Sequence, residues 1–249
     1  PISVDAKVLA AMTRVLAHRG PDGEGVRTGS GYGLGHRRLS IVDLAAGAQP
    51  MGLADGTLWV TFNGEIYNYQ DLRKELEAQG CRFRTHSDTE VLLHGYRAWG
   101  TGLAARLRGM FAFAIVDEAA HSLYAARDRV GKKPFYWTQR DGWFAFASEV
   151  KALHEFGVDR TLRADAVAQF FALRYVPDPY TVFASVHKLE PGHWCLVRDG
   201  KVRRERYWRV SFAHQDAGSA ADQQRRVLEL LDEAVRIRLM GEVPLADRK

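Results

Sequence analysis

Cysteine is scarce in this 249-residue chain: Cys81 and Cys195 are the two present, far apart and without the close spacing of a metal site. A disulfide scaffold is therefore not expected, and a reducing, cytoplasmic setting is. Uninterrupted apolar runs of about 18 residues are lacking, so no membrane span is expected. The chain opens at Pro1 without a charged-plus-apolar leader, and no secretory signal is expected. Repeats and low-complexity tracts are absent too. What remains, 46% hydrophobic and 26% charged residues with 23 Gly and 8 Pro, is the composition of a folded globular chain. The length suits one large domain, or one domain plus part of another.

Several motifs are also missing. Gly131-Lys132 has Ala126 where a Walker A loop needs glycine, and no G-x-S-x-G elbow occurs. Gly31, Gly33 and Gly35 alternate along a strand-like stretch, unlike a dinucleotide fingerprint. The nine histidines form no H-x-x-x-H pair, and His18 and His36 read as structural. The net charge of +5 comes from 35 Lys and Arg against 30 Asp and Glu. Its clusters include Arg225-Arg226, where Arg225 with Glu229 and Asp232 with Arg236 stand at the spacing of a solvated helix face. No zinc finger or aromatic RNA-binding signature accompanies the charge, and a nucleic-acid partner is not expected.

Periodicity predicts helices over 4–17, 68–79, 87–99, 149–156, 165–173 and 223–240. Ser87-Asp88-Thr89-Glu90 has the form of a capping box. Strand-like text covers 33–42, 58–62, 110–116, 123–127, 135–139, 143–147 and 194–197, with Asp141-Gly142 and Asp199-Gly200 as hairpin turns. The run 110–116 is apolar throughout, which predicts cover on both faces. Residues 211–222, small and polar, read as a linker. Hairpin sheets flanked by helices point to an α+β layered fold, with a new unit starting after the linker.

Four segments place polar residues where a rigid scaffold aims them at a small ligand. They are His18-Arg19-Gly20-Pro21-Asp22-Gly23, His36-Arg37-Arg38-Leu39-Ser40-Ile41-Val42-Asp43, Phe62-Asn63-Gly64-Glu65-Ile66-Tyr67-Asn68 and Ser87-Asp88-Thr89-Glu90. Asn63 and Gly64 offer a side-chain amide and a backbone N–H to a developing oxyanion. Arg38 suits a carboxylate through two parallel hydrogen bonds. Glu65 and Asp88 suit an ammonium group. Taken singly, Asn63-Gly64 is equally a turn and Asp88 a helix-start acid. Taken together, they suit an α-amino acid.

These segments resemble the glutaminase domain of class II glutamine amidotransferases, in its asparagine synthetase branch. The likeness extends to Gly109-Met110-Phe111-Ala112-Phe113, Ala126-Arg127-Asp128-Arg129 and Phe146-Ala147-Ser148-Glu149-Val150-Lys151. It covers residues 9–153 closely and reaches 208 less tightly, with most similarity to amidotransferases of bacterial polysaccharide clusters. The resemblance implies a four-layer αββα sandwich of two antiparallel sheets, of the N-terminal nucleophile hydrolase type. It also implies hydrolysis of glutamine to glutamate and ammonia. Arg38 would bind the α-carboxylate, with Leu39, Ser40, Ile41 and Val42 lining that side. Glu65 and Asp88 would hold the α-amino end, and Asn63 with Gly64 would form the oxyanion hole.

Two departures stand at the two ends. The family's nucleophile is an N-terminal cysteine whose own amine assists as base, and this sequence opens at Pro1. The chain by itself is therefore expected to lack thiol-dependent glutaminase activity. At the other end, 236–245 resembles the way into an ATP-dependent synthetase domain, but the family's Ser-Gly-Gly-x-Asp-Ser loop does not follow. The expected organisation is an amidotransferase domain over 1–210 lacking its first strand, a linker over 211–222, and the opening helix of a synthetase domain over 223–249. No cofactor is expected in this chain. ATP and Mg, with aspartate or a related acid as acceptor, belong to the parent, and homodimerisation stays open. Two other classes compete: a β-lactam-synthetase-like ligase with a non-catalytic glutaminase domain, and a basic, non-enzymatic binding module.

Overall fold

A computed structural model describes residues 4–39, 47–140, 142–213 and 218–239. Helix α1 (Ala6–Arg14) starts at Asp5, whose carboxylate accepts the Lys7 N–H at 2.8 Å. A hairpin follows, β1 (Gly23–Gly29) and β2 (Tyr32–Arg38), turning at Gly31 with φ 78°. β3 (Met51–Gly52) and β4 (Leu58–Ile66) lead into α2 (Tyr69–Ala78) and α3 (Asp88–Trp99), with the single turn α4 (Leu103–Arg106) after them. β5 (Gly109–Asp117), β6 (Ser122–Arg127), β7 (Tyr136–Arg140) and β8 (Trp143–Ala147) come next, then α5 (Val150–Glu155) and α6 (Ala164–Leu173). β9 (His187–Lys188), β10 (His193–Arg198), β11 (Lys201–Arg206) and α7 (Ala220–Arg236) complete the order.

Three apolar interfaces separate four layers. On one face of the six-stranded antiparallel sheet β11-β10-β6-β5-β4-β3, Leu72 and Leu76 of α2 and Val91, Leu92 and Leu93 of α3 pack on Phe62, Phe111, Phe113 and Ile115. Each such side chain contributes about 1.5–3 kcal/mol by leaving water. The opposite face, Ala112, Ala114, Ala125 and Cys195, meets Phe135 and Trp137 of a second sheet layer. The small residues there let the two sheets approach while aromatic rings fill the space between them. Ala145 and Ala147 of β8 then pack under Ala152 and Leu153 of α5, with Met12 of α1 and Val15 just after it beside them. This is the α+β, four-layer arrangement expected, and β5 is indeed covered on both faces.

The second sheet layer departs from expectation. It is not one continuous sheet but two pieces, β1-β2 and β8-β7-β9. Among the described residues, β2 and β8 each keep one unpaired edge, and both edges border the same cleft. Strand β1 was not foreseen, since Val26 is its one apolar side chain and the strand is half-exposed along its length. The capping box at Ser87 forms only in part. Ser87 Oγ accepts the Thr89 N–H at 3.2 Å, but Glu90 turns back to the Arg84 and Thr85 N–H groups, and the Ser87 N–H goes to Thr85 Oγ1. The full box lies elsewhere, at Ser219 and Asp222, so α7 begins inside the stretch read as a linker. Arg225 pairs with Asp222 and Glu229 with Arg226, not with each other as read from spacing. Asp141 and residues 240–249 lie outside the described residues.

Candidate functional site

The site is built on the outer edge of β4. Thr57 C=O accepts the Glu118 N–H at 2.9 Å, and Arg108 C=O accepts the Tyr67 N–H at 2.7 Å. In an antiparallel pair, hydrogen-bonded positions alternate with non-bonded ones. Odd-numbered residues of β4, Asn63 and Glu65 included, thus bond to β5. The even-numbered ones direct their N–H and C=O groups away from it. β3 serves that outer edge only as far as Val60. Beyond it, Phe62 donates its N–H to Gln49 Oε1 at 2.6 Å and accepts Gln49 Nε2 at 3.1 Å. Ile66 donates its N–H to Asp88 Oδ2 at 2.9 Å. Gly64, between them, has no such partner among the described residues.

No other residue fits at position 64. Its φ is 152°, and a Cβ there would lie 2.0 Å from Met110 O. Beside it, Asn63 Nδ2 is buried with no hydrogen-bond acceptor among the described residues. A buried donor left unmade costs roughly 1–3 kcal/mol, so this amide is held ready at the expense of stability. Two adjacent N–H donors, one from a side chain and one from backbone, are what an oxyanion hole requires.

Asp88 is the first residue of α3 and is 4% exposed. Burial, and then the nearby Glu65 charge, push its carboxyl up to about 6, against the Ile66 N–H bond that favours the ionised form. Arg38, Leu39, Asn63, Gly64, Glu65 and Asp88 all line one cleft of about 1220 Å³. Ser40, Ile41 and Val42, expected beside them, lie outside the described residues. The cleft exceeds the roughly 300–1,000 Å³ of ordinary small-molecule sites. Its far part runs along the unpaired edges of β2 and β8. His36 faces the cleft as a neutral ring, pushed down to about 4 by burial and by Arg38. Its Nδ1 lies 3.1 Å from Thr61 Oγ1, in keeping with the structural role read for it.

Other motifs turn out to be scaffold. Asp128 is fully buried, and its carboxylate accepts the N–H groups of Phe111, Val130, Lys132 and Lys133 at 2.9–3.2 Å. Phe111 pairs with Gly64, so Asp128 fixes the strand behind the Asn63–Gly64 donor pair. Arg127 donates to the carbonyls of Lys133, Leu189 and Gly131. Glu149 Oε1 joins His18 at 2.9 Å and Arg19 at 3.1 Å, tying the first motif to α5. Neither cysteine lines the cleft. Cys195 is held between the sheets, where burial pushes its thiol up to about 12. Cys81 packs at the rim of the helix-side core. Among the described residues no three His, Cys, Asp or Glu side chains converge as a metal set. No described helix is long and apolar enough to cross a membrane. Gln49 and Asp128 were not among the site residues read from sequence. An acidic residue at a strand end, three positions before Gly131, was the signal for Asp128, and Gln49 had none.

The four layers define the α+β sandwich fold of the N-terminal nucleophile type. The glutamine amidotransferase domain family matches residues 2–208, and the chain belongs to it. It is 40% identical over 243 residues to asparagine synthetase [glutamine-hydrolyzing] 1 of Bacillus subtilis, covering 96% of this chain and 38% of that protein. It is 35% identical over 244 residues to amidase chry2 of Gibberella zeae, covering 93% of this chain and 35% of that one. The chain thus spans less than two fifths of either relative's length. In fold it is similar to glutamine phosphoribosylpyrophosphate amidotransferase of B. subtilis, with a TM-score of 0.61 and 22% identity over 83% of this chain and 47% of that chain.

Proposed function

We propose that the cleft binds L-glutamine and that its side-chain amide is hydrolysed there. Arg38 takes the α-carboxylate, and Glu65 with Asp88 takes the α-ammonium. The γ-carbonyl oxygen lies against Asn63 Nδ2 and the Gly64 N–H. The single observation that carries this reading is the outer edge of β4: Phe62 and Ile66 have protein partners, while among the described residues the Asn63 and Gly64 donors between them do not. A thiol attacking the side-chain amide carbon, Cδ, would place negative charge on the oxygen those donors address. The C–N bond then breaks, ammonia leaves with a proton, and water cleaves the thioester to glutamate.

The thiol comes from the family's N-terminal cysteine, on a strand seated between the free edges of β2 and β8. In the parent protein the ammonia passes to aspartate or a related acid activated by ATP with Mg, in the portion that the asparagine synthetase relatives have and this chain does not span. Since neither Cys81 nor Cys195 lines the cleft, these 249 residues by themselves are expected to release no ammonia from glutamine. The same chain joined behind a strand that begins with cysteine is expected to do so, and a cysteine-directed glutamine analogue is expected to stop it. Analogue-sensitive turnover by the chain beginning at Pro1 would overturn this choice of nucleophile.

A further inference from the structure

The outer edge of β4 is served by groups from separate parts of the chain, and Gln49 is the one that no motif announces. Its carboxamide offers an acceptor and a donor to Phe62, at 2.6 and 3.1 Å, as the peptide group of a neighbouring strand would. Phe62 is the next outward-facing residue after Val60, where β3 stops pairing. A side chain therefore continues the ladder where the strand ends. Gln49 is itself wedged in place: a Cβ on Gly25 of β1 would lie 1.9 Å from Gln49 O.

This matters because Gly64 has no side chain to hold it. A glycine at φ 152° is restrained only by its neighbours. Asp128 restrains it from the inner side, through Phe111. Gln49 restrains the outer side, one residue before Asn63. Phe62 is 4% exposed, so loss of Gln49 leaves a buried N–H and C=O without partners. The Thr61–Phe62 and Phe62–Asn63 peptide groups would then turn to satisfy them, carrying the Asn63 amide and the Gly64 N–H off their common target.

We propose that Gln49 is a positioning residue that aims the Asn63–Gly64 donor pair through the Phe62 backbone. This rests on the reading of the cleft as a glutamine site. The test is isotope-detected NMR of the chain titrated with L-glutamine. In the unsubstituted chain, the Asn63 side-chain amide and the Gly64 N–H resonances are expected to move on saturation. In Gln49→Met, which keeps volume and removes both bonds, glutamine is expected still to bind through Arg38, Glu65 and Asp88, with affinity lowered by about tenfold at most. The Asn63 and Gly64 responses, and the exchange protection of the Phe62 N–H, are expected to be lost. Gln49→Glu keeps the acceptor for the Phe62 N–H, so it retains that protection and part of the response; it decides the matter if Gln49→Met does not fold. A full Asn63 and Gly64 response in Gln49→Met would overturn the proposal. So would a folded Gln49 variant that no longer binds glutamine, because Gln49 would then be a direct ligand. Absence of glutamine binding to the unsubstituted chain would overturn the site reading itself, and that result needs no variant.

Discussion

Asn63 and Asp88 each hold a polar group in a state the fold alone disfavours. Asn63 buries an N–H that has no acceptor among the described residues, and Asp88 buries a carboxylate whose proton is held up to about 6. Asn63→Leu removes the orphaned donor at similar volume, so it is expected to leave stability unchanged or raise it. Turnover by a cysteine-bearing parent should fall about 100- to 1,000-fold. Thermal melts and steady-state rates on the same preparations check both halves. Asp88 has a pH sign that can be worked out. An acid raised above its ordinary value of about 3.9 keeps its proton more tightly folded than unfolded, so its contribution to stability is complete below about pH 4 and lost as pH rises through about 6. Asp88→Asn is therefore expected to stabilise the chain by about 2 kcal/mol near pH 7 and by little near pH 4. Glutamine binding runs the other way, because the ammonium needs the ionised carboxylate. Affinity should weaken by up to about tenfold per pH unit below about 6, measured by calorimetric titration.

Among the elements, α3 and α7 show how much periodicity discloses and what it leaves out. Both were legible as helices, since apolar side chains recur every three or four residues in each. In α3, residues Asp88 to Gly95 are all buried, and the helix is held by the sheet beneath it. In α7, Val227, Leu228, Leu230 and Leu231 stay 44–60% exposed, and the helix reaches the body through Arg108–Glu233 and through Arg238 over the Tyr67 ring. The amphipathic pattern was real, but it could not tell what covers the apolar face. An uncovered helix of this length is marginal in water. Backbone amides of α7 are expected to exchange at least about 100-fold faster than those of α3, by hydrogen-exchange mass spectrometry. Equal protection would mean that α7 is covered in solution. Strand β1 was illegible for the opposite reason: its pairing is set by the turn at Gly31 and by backbone bonds to β2, not by an apolar stripe.

Across the whole molecule, three interlayer cores fix four layers, and the site lies where the second sheet layer is divided. Arg38 on β2, Asn63, Gly64 and Glu65 on β4, and Asp88 on α3 are far apart in sequence and reach one cleft. Their residue types and positions at element ends were enough to propose an amino-acid site. The motif order was enough to name a family, which the match over residues 2–208 supports. The bracing by Gln49 and Asp128 was not legible, because it depends on which edge of β4 is left without a strand. The divided layer was equally hidden, since strand text does not disclose which edges stay unpaired. The central claim, that these residues form a glutamine site, is tested most directly by titrating L-glutamine into the chain by calorimetry. One saturable site is expected near pH 7, abolished in Asp88→Asn although that variant melts no lower than the parent. No binding, or equal binding in Asp88→Asn, would contradict it.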